Sequence, residues 1–547
     1  MTLPPVPVPN ENPITEEKRV LGKILFWDEQ LSSDNTMSCG TCHLPGSGGA
    51  DPRLATHPGP DAIFGTPDDT IGSPGVIRSD EGNAYIPDGV FGLQRQVTSR
   101  SAPSYFGMTQ YAPELFWDGR ASGTFVDPET GSVSVAAGGA LESQAVGPIL
   151  SAAEMGHDGR SWDEVIQKLR DVTPLRLASD IPPDMATAVA SSPDYEGLFA
   201  AAFGDPDISA ERIGLAIATY ERTLVPDQTP FDLFLAGDQT AMTPGQLDGW
   251  VKLRDNTQCL ACHTPPMFTD QQFHNLGLRP AVEDPGRMNV TGNPADFGRF
   301  KTPSLRNVGL RDALTHVGWV TDVKDAIDFY NAPAFPAFAL GHTQFTANQT
   351  GIPTQNPGVF APLGSINLPV TLPNGQPFQA PIIDFLTNAL TDPRVAAETF
   401  PFDRPTLHSQ STPPDPRLYG PGTGGPGNGP RMIARTPLTI GNPDFKFGLS
   451  RAPGGALAWL VVSTLPAIPG SQLPGGTPVN VSLADVIHVA AVLLDGAGPQ
   501  AGHTTVQLAV ANDPGLVGVE LFGQWFVSGG PGPLALMASR GAHWTGN

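Results

Sequence analysis

Cysteine is nearly absent, with four residues in a chain of 547. A disulfide-stapled scaffold is therefore excluded, because such scaffolds are dense in cysteine. Long apolar runs are missing as well. No stretch reaches the roughly 18 apolar residues that a transmembrane helix needs, so none is predicted. Basic charge is in short supply: Lys and Arg total 31 against 54 Asp and Glu, for a net charge of -23. That balance argues against nucleic acid as a partner. It gives solubility, and it can steer a basic electron donor. No signal peptide is visible, since Met1 leads straight into a Pro-rich segment. What the chain does have in excess is Gly (62) and Pro (59), which predicts long irregular connections.

The few cysteines are informative by position. All four fall in two strings, Cys39-Gly40-Thr41-Cys42-His43 and Cys259-Leu260-Ala261-Cys262-His263. C-x-x-C-H is the attachment pattern of c-type haem: two thiols form thioethers to the porphyrin vinyls, and the His ligates the iron. A thioredoxin-like redox pair does not demand the His. A zinc site needs four ligands, which two pairs about 220 residues apart could also supply. Two haems account for every cysteine and both histidines. Covalent haem attachment normally takes place outside the bacterial cytoplasm. A periplasmic or secreted protein is therefore expected, with its export signal removed and Met1 in its place.

The chain divides into five parts by pattern. Residues 1–14 read as a Pro-rich tail. Residues 15–205 and 206–408 read as two cytochrome c-like helical domains with long loops, one for each C-x-x-C-H string. Helical periodicity is predicted over 15–28, 162–171, 208–224, from Thr243-Pro244 onward, and over 381–390. Residues 44–100 and 121–140 read as irregular insertions. Residues 409–433, rich in Pro and Gly, read as a linker. Beyond it, 434–547 shows apolar runs at Ala456–Ser463, Ala484–Leu494 and Val517–Val527 separated by Gly-Pro turns, which predicts an all-β sandwich-like domain. The expected fold class is mainly α with that β domain appended.

Several ordered strings carry a resemblance. They are Leu21-Gly22-Lys23-Ile24-Leu25-Phe26-Trp27-Asp28, Phe116-Trp117-Asp118-Gly119-Arg120, Gly147-Pro148 with Ala153-Glu154-Met155, and Tyr220-Glu221-Arg222-Thr223-Leu224. Phe268-Thr269-Asp270 and Lys301-Thr302-Pro303-Ser304-Leu305-Arg306-Asn307-Val308 follow the second haem string. Together they resemble the dihaem cytochrome c peroxidase and MauG-like family over roughly residues 15–405. The resemblance implies an enzyme that reduces hydrogen peroxide at an N-terminal haem. Electrons would come from a redox protein, or from an oxidised side chain of a partner protein in the MauG-like case.

Roles follow residue by residue from that resemblance. His43 and His263 are the proximal iron ligands. Glu154 stands where the family has a distal carboxylate, and Gln144 where it has a polar partner. Trp117 matches the Trp between the two haems. The inactivating distal His of many members has no counterpart. Counting back from Arg100-Ser101-Ala102-Pro103 lands on Leu93, and His57 lies in an insertion. An open first haem is therefore expected. At the second haem the family's Met ligand is replaced by Tyr330, with His316 or His342 as alternative ligands. A phenolate is a hard anionic donor that lowers the iron potential relative to Met.

An inter-haem calcium ion is a family feature. Its ligands would lie near Ser101, Arg311 and Ala313, where the usual residues are missing. Asp61, Asp68 and Asp69 offer separate hard oxygen ligands, or form a solvated acidic turn. The rival functions are a plain electron-transfer dihaem cytochrome and a haem oxygenase of an organic substrate.

Overall fold

The computed structural model describes residues 2–278, 282–330, 370–372, 375–425, 428–529 and 536–547. The first unit is built around α1 (Glu16–Trp27), α2 (Ala140–Ala145), α3 (Trp162–Asp171), α4 (Pro183–Ser191), α5 (Tyr195–Phe203) and α6 (Ala210–Arg222). Local sequence sets their starts. The Thr15 hydroxyl accepts from the Lys18 amide at α1, and Ser161 with Glu164 forms a capping box at α3. Helices α1 and α6 pack through Leu21, Ile24, Leu25, Ile213, Ile217 and Tyr220. Gly22 makes this approach possible, because a Cβ there would lie 1.9 Å from the Ala216 carbonyl oxygen. The expected tail is partly tied down: Asn12 is buried, donates to Glu142 at 2.8 Å and accepts from Lys18 at 2.9 Å.

This packing corrects the expected boundary at 205/206. Helix α6 completes the core of the first unit, and so do Val395, Phe402 and Leu407 from far downstream. The second unit is correspondingly smaller. Its main helices are α7 (Pro244–Asn256), α8 (Val323–Tyr330) and α9 (Gln379–Asp384), which continues as a π turn over Phe385–Ala389. Here Gly249 plays the part of Gly22, with its Cβ position 1.9 Å from the Pro381 carbonyl oxygen. Phe231 sits at the centre of an aromatic cluster, 4.9 Å from the Trp250 ring and 5.3 Å from the Phe385 ring.

The mainly α expectation is met only in part. Helices build both of these cores. The insertions between them are loops carrying short antiparallel ribbons such as β1 (Pro74–Ile77) with β2 (Arg95–Val97). Their Gly- and Pro-rich sequence cannot sustain helix.

The C-terminal part is all sheet. Its strands are β3 (Arg417–Tyr419), β4 (Arg431–Ile433), β5 (Phe445–Ala452), β6 (Leu457–Ser463), β7 (Val486–Leu493), β8 (Gly502–Leu508), β9 (Glu520–Ser528), β10 (Leu536–Ala538) and β11 (Gly541–Thr545). One antiparallel sheet runs β7-β6-β9-β11-β3, with β10 also pairing β9; the other runs β4-β5-β8. Phe447, Leu460, Trp525 and Trp544 from the two sheets share one core, which makes this a sandwich. Residues 409–433 are therefore not a plain linker. They supply β3 and β4, whose three-residue length hides them among Pro and Gly.

Candidate active site

The first C-x-x-C-H string begins in a helical turn over Cys39–Cys42. Ser38 starts it, its amide donating to the Thr41 hydroxyl at 2.8 Å. His43 follows, and its Nδ1 lies 3.0 Å from the Gly49 carbonyl oxygen. That contact assigns the ring proton to Nδ1 and leaves the Nε2 lone pair available. Burial pushes the His43 pKa down and keeps the imidazole neutral. Both thiols and His43 open onto a cavity of about 460 Å³. A neutral His beside two thiols on one large cavity wall fits a covalently held haem.

Glu154 and Gln144 stand on the walls of the same cavity. Gln144 comes from α2. Glu154 comes from a turn that β1 holds from behind: the Val76 amide donates to the Glu154 carbonyl at 3.2 Å. Gly75 makes this fit possible, because a Cβ there would lie 2.0 Å from the Ala153 carbonyl oxygen. Burial raises the Glu154 pKa. Among the described residues, His43 is the cavity's sole histidine. Leu93 packs instead against Ile77, Tyr85 and Ile433, and His57 accepts from the Gly59 amide at 3.1 Å.

The second string opens onto a cavity of about 180 Å³ lined by Cys259, Cys262, His263 and Tyr330. His263 repeats the first arrangement, with Nδ1 3.1 Å from the Phe268 carbonyl oxygen. Tyr330 is the last residue of α8, and burial raises its phenol pKa. His316 lines this cavity too, its ring stacked on Phe300 with centroids 3.6 Å apart. His342 lies outside the described residues. His274 also faces the cavity. Its Nε2 is 2.7 Å from an Asp270 carboxylate oxygen, a contact that raises the His274 pKa to about 9.

Trp117, Lys301 and Arg311 line both cavities. The Trp117 indole N–H donates to the Ser101 carbonyl at 2.8 Å. Burial pushes Lys301 down to about 8 and Arg311 down to about 10. Arg311 Nε is buried without a hydrogen-bond partner. Such cations suit the two propionates that every haem carries.

Of the residues expected near a calcium ion, Ser101 spends its hydroxyl proton on the Thr315 carbonyl at 2.6 Å. Asp61, Asp68 and Asp69 likewise accept from the amides of Ile63, Asp61 and Gly65 within their own loop, as a solvated acidic turn does.

Sequence reasoning missed three wall residues. The sequence singles out Arg311 only for its backbone carbonyl and Lys301 only within a string, and it gives Glu221 no role. Glu221 lines the first cavity, its Oε2 has no hydrogen-bond partner, and burial raises its pKa to about 8. A carboxylate on the otherwise apolar inner face of α6 was the available signal.

Comparison with known proteins bears on this pair of sites. The family model for di-haem cytochrome c peroxidase matches residues 16–240. The chain is 31% identical over 341 residues to the methylamine utilization protein MauG of Methylophilus methylotrophus, covering 61% of this chain and 78% of that one. It is 31% identical over 362 residues to cytochrome-c peroxidase IdrP1 of Denitromonas iodatirespirans, covering 60% and 76%. It is 30% identical over 325 residues to cytochrome c551 peroxidase of Pseudomonas aeruginosa, covering 58% and 72%. The chain belongs to the di-haem cytochrome c peroxidase and MauG family, an oxidoreductase family whose members carry two covalently bound haem c groups.

Proposed function

We propose that this enzyme reduces hydrogen peroxide at an open haem held by Cys39, Cys42 and His43. The carrying observation is a 460 Å³ cavity with Glu154 and Gln144 on its walls and one described histidine. A haem held by these residues would supply the two electrons that break the O–O bond. Glu154 takes a proton from the inner peroxide oxygen and delivers it to the outer one, which leaves as water. Gln144 orients the peroxide by hydrogen bonding. The raised pKa of Glu154 suits it to both halves of this transfer.

A second haem would be held by Cys259, Cys262, His263 and Tyr330, and it would supply electrons to the first. Trp117 relays them, a role supported by its place on both cavity walls. The donor is a redox protein or an oxidisable side chain of a partner protein. The compartment is periplasmic or extracellular. Among the described residues, no helix is long and apolar enough to cross a membrane.

Steady-state peroxide turnover by wild type and Glu154→Gln tests the reading. A loss of about 10²- to 10⁴-fold is expected for a missing general acid–base. Equal activity, or two purely low-spin ferric EPR signals in the wild type, would remove peroxide chemistry from this site.

A further inference from the structure

The family resemblance stops before the β sandwich, yet the sandwich is fastened to the wall of the first haem site. Lys446 lies on β5 and is completely buried. Its ammonium donates to the Asn83 carbonyl at 2.6 Å, to Asn83 Oδ1 at 2.7 Å and to the Ser79 hydroxyl at 3.4 Å. Its three donors thus find three acceptors, all in one loop of the first unit. The Tyr85 ring lies 4.4 Å away and gives a cation–π contact.

That loop continues the connection inward. Asn83 Nδ2 donates to the Ser33 carbonyl at 2.9 Å. The Ser33 amide donates to the Met155 carbonyl at 2.8 Å, and Met155 follows Glu154. A second strand of the connection runs beside it, with the Asp158 amide donating to the Ser79 carbonyl at 2.9 Å. Asn83 holds a left-handed backbone with φ of 59°. Asparagine tolerates that conformation better than most side-chain-bearing residues.

We propose that the β sandwich is a buttress for the distal wall of the first haem site, acting through the positioning residues Lys446 and Asn83 to fix Glu154. The physical case rests on burial. A dry ammonium is costly unless it is fully bonded. Lys446 reaches that state only when the loop holding Asn83 is in place, so docking of the sandwich and the shape of the loop depend on each other. Surrounding contacts add area to the same patch: the Tyr85 amide donates to Thr505 at 3.0 Å, and Gln507 donates to the Gly82 carbonyl at 2.9 Å.

This inference rests on the role proposed for Glu154, and its test separates the two. Asn83→Asp keeps the acceptor for Lys446 and removes the donor to Ser33, so the sandwich stays docked while the inward link is cut. The holoenzyme variant is expected to show faster hydrogen exchange at the Ser33 amide and across 151–158. Its first-haem EPR signals should shift while the second-haem signals stay as in the wild type. Peroxide kcat should fall about ten- to a hundred-fold, with an unchanged KM for the electron donor, as for a catalytic group displaced by about 1 Å. Lys446→Met should give the same pattern by undocking the sandwich.

Wild-type exchange and wild-type first-haem EPR in both variants would overturn the buttress. So would an equal change at both haems. If the wild type turned over no peroxide, the proposed function would fall, and the exchange and EPR readouts would still decide the buttress.

Discussion

The indole of Trp117 donates to the carbonyl of Ser101 at 2.8 Å, and the amide of Ser101 donates onward to the carbonyl of His316 at 3.0 Å. Trp117 is thereby oriented by a residue that also touches the second site. Trp117→Phe keeps an aromatic ring but loses both this bond and the easily oxidised indole. Electron delivery from the second haem to the first is expected to slow about ten-fold or more, equivalent to at least about 1.4 kcal/mol on the barrier. Stopped-flow spectroscopy of the reduced protein mixed with peroxide measures this step. Absorption spectra of both haems should stay as in the wild type.

Tyr330→Phe removes the proposed anionic ligand while keeping the ring at the end of α8. The low-spin spectrum of the second haem should change and its midpoint potential should rise. The first haem should be unaffected. An unchanged spectrum would transfer the ligand role to His316, the other described candidate on that cavity wall.

Gly22→Ala places a methyl where the Ala216 carbonyl oxygen already stands, 1.9 Å from the new carbon. Backbone cannot swing away as a side chain can. Overpacking of this kind costs about 1–3 kcal/mol, against a helix-propensity gain of about 1 kcal/mol. A lowered urea midpoint is expected. Gly147→Ala is the control, since nothing lies within 4 Å of its Cβ position.

Glu29 is buried, and burial raises its pKa from 4.5 to about 7. Its Oε2 accepts from the Ser409 amide at 3.2 Å. Between pH 4.5 and about 7 the unfolded chain has released this proton while the folded chain keeps it. The folded state then binds more protons, so stability falls as pH rises through that window and is fullest below it. Glu29→Gln should flatten the fall. Denaturation midpoints measured across the window, with wild type and variant compared, test the sign.

Much of this was legible because it is written locally. Periodicity over 162–171 and the Thr243-Pro244 pair announce α3 and α7, and the structure places the helices there, each opened by a capping box. The C-x-x-C-H strings are legible as motifs, while Glu154, Gln144, Trp117 and Tyr330 follow from the family resemblance; each lines a cavity. Other features depend on contacts remote in sequence. The periodicity of α6 is the same whichever unit it joins; only its packing on Gly22 decides. Arg311 looks like a loop cation until two cavities meet beside it. Lys446 stands between Phe445 and Phe447 on β5, where alternation suggests a solvent-facing charge. It instead faces a loop some 360 residues earlier.

The downstream residues in the first core carry a consequence for biogenesis. Val395, Phe402 and Leu407 fill positions among the helices behind the first haem string. A chain made from its N-terminus cannot close that core until residue 407 has emerged. By then both C-x-x-C-H strings are exposed to the attachment machinery. The first string can therefore still be accessible when the second emerges. The stretch from Val395 to Leu407 acts as a latch, setting when the first unit becomes a finished compartment.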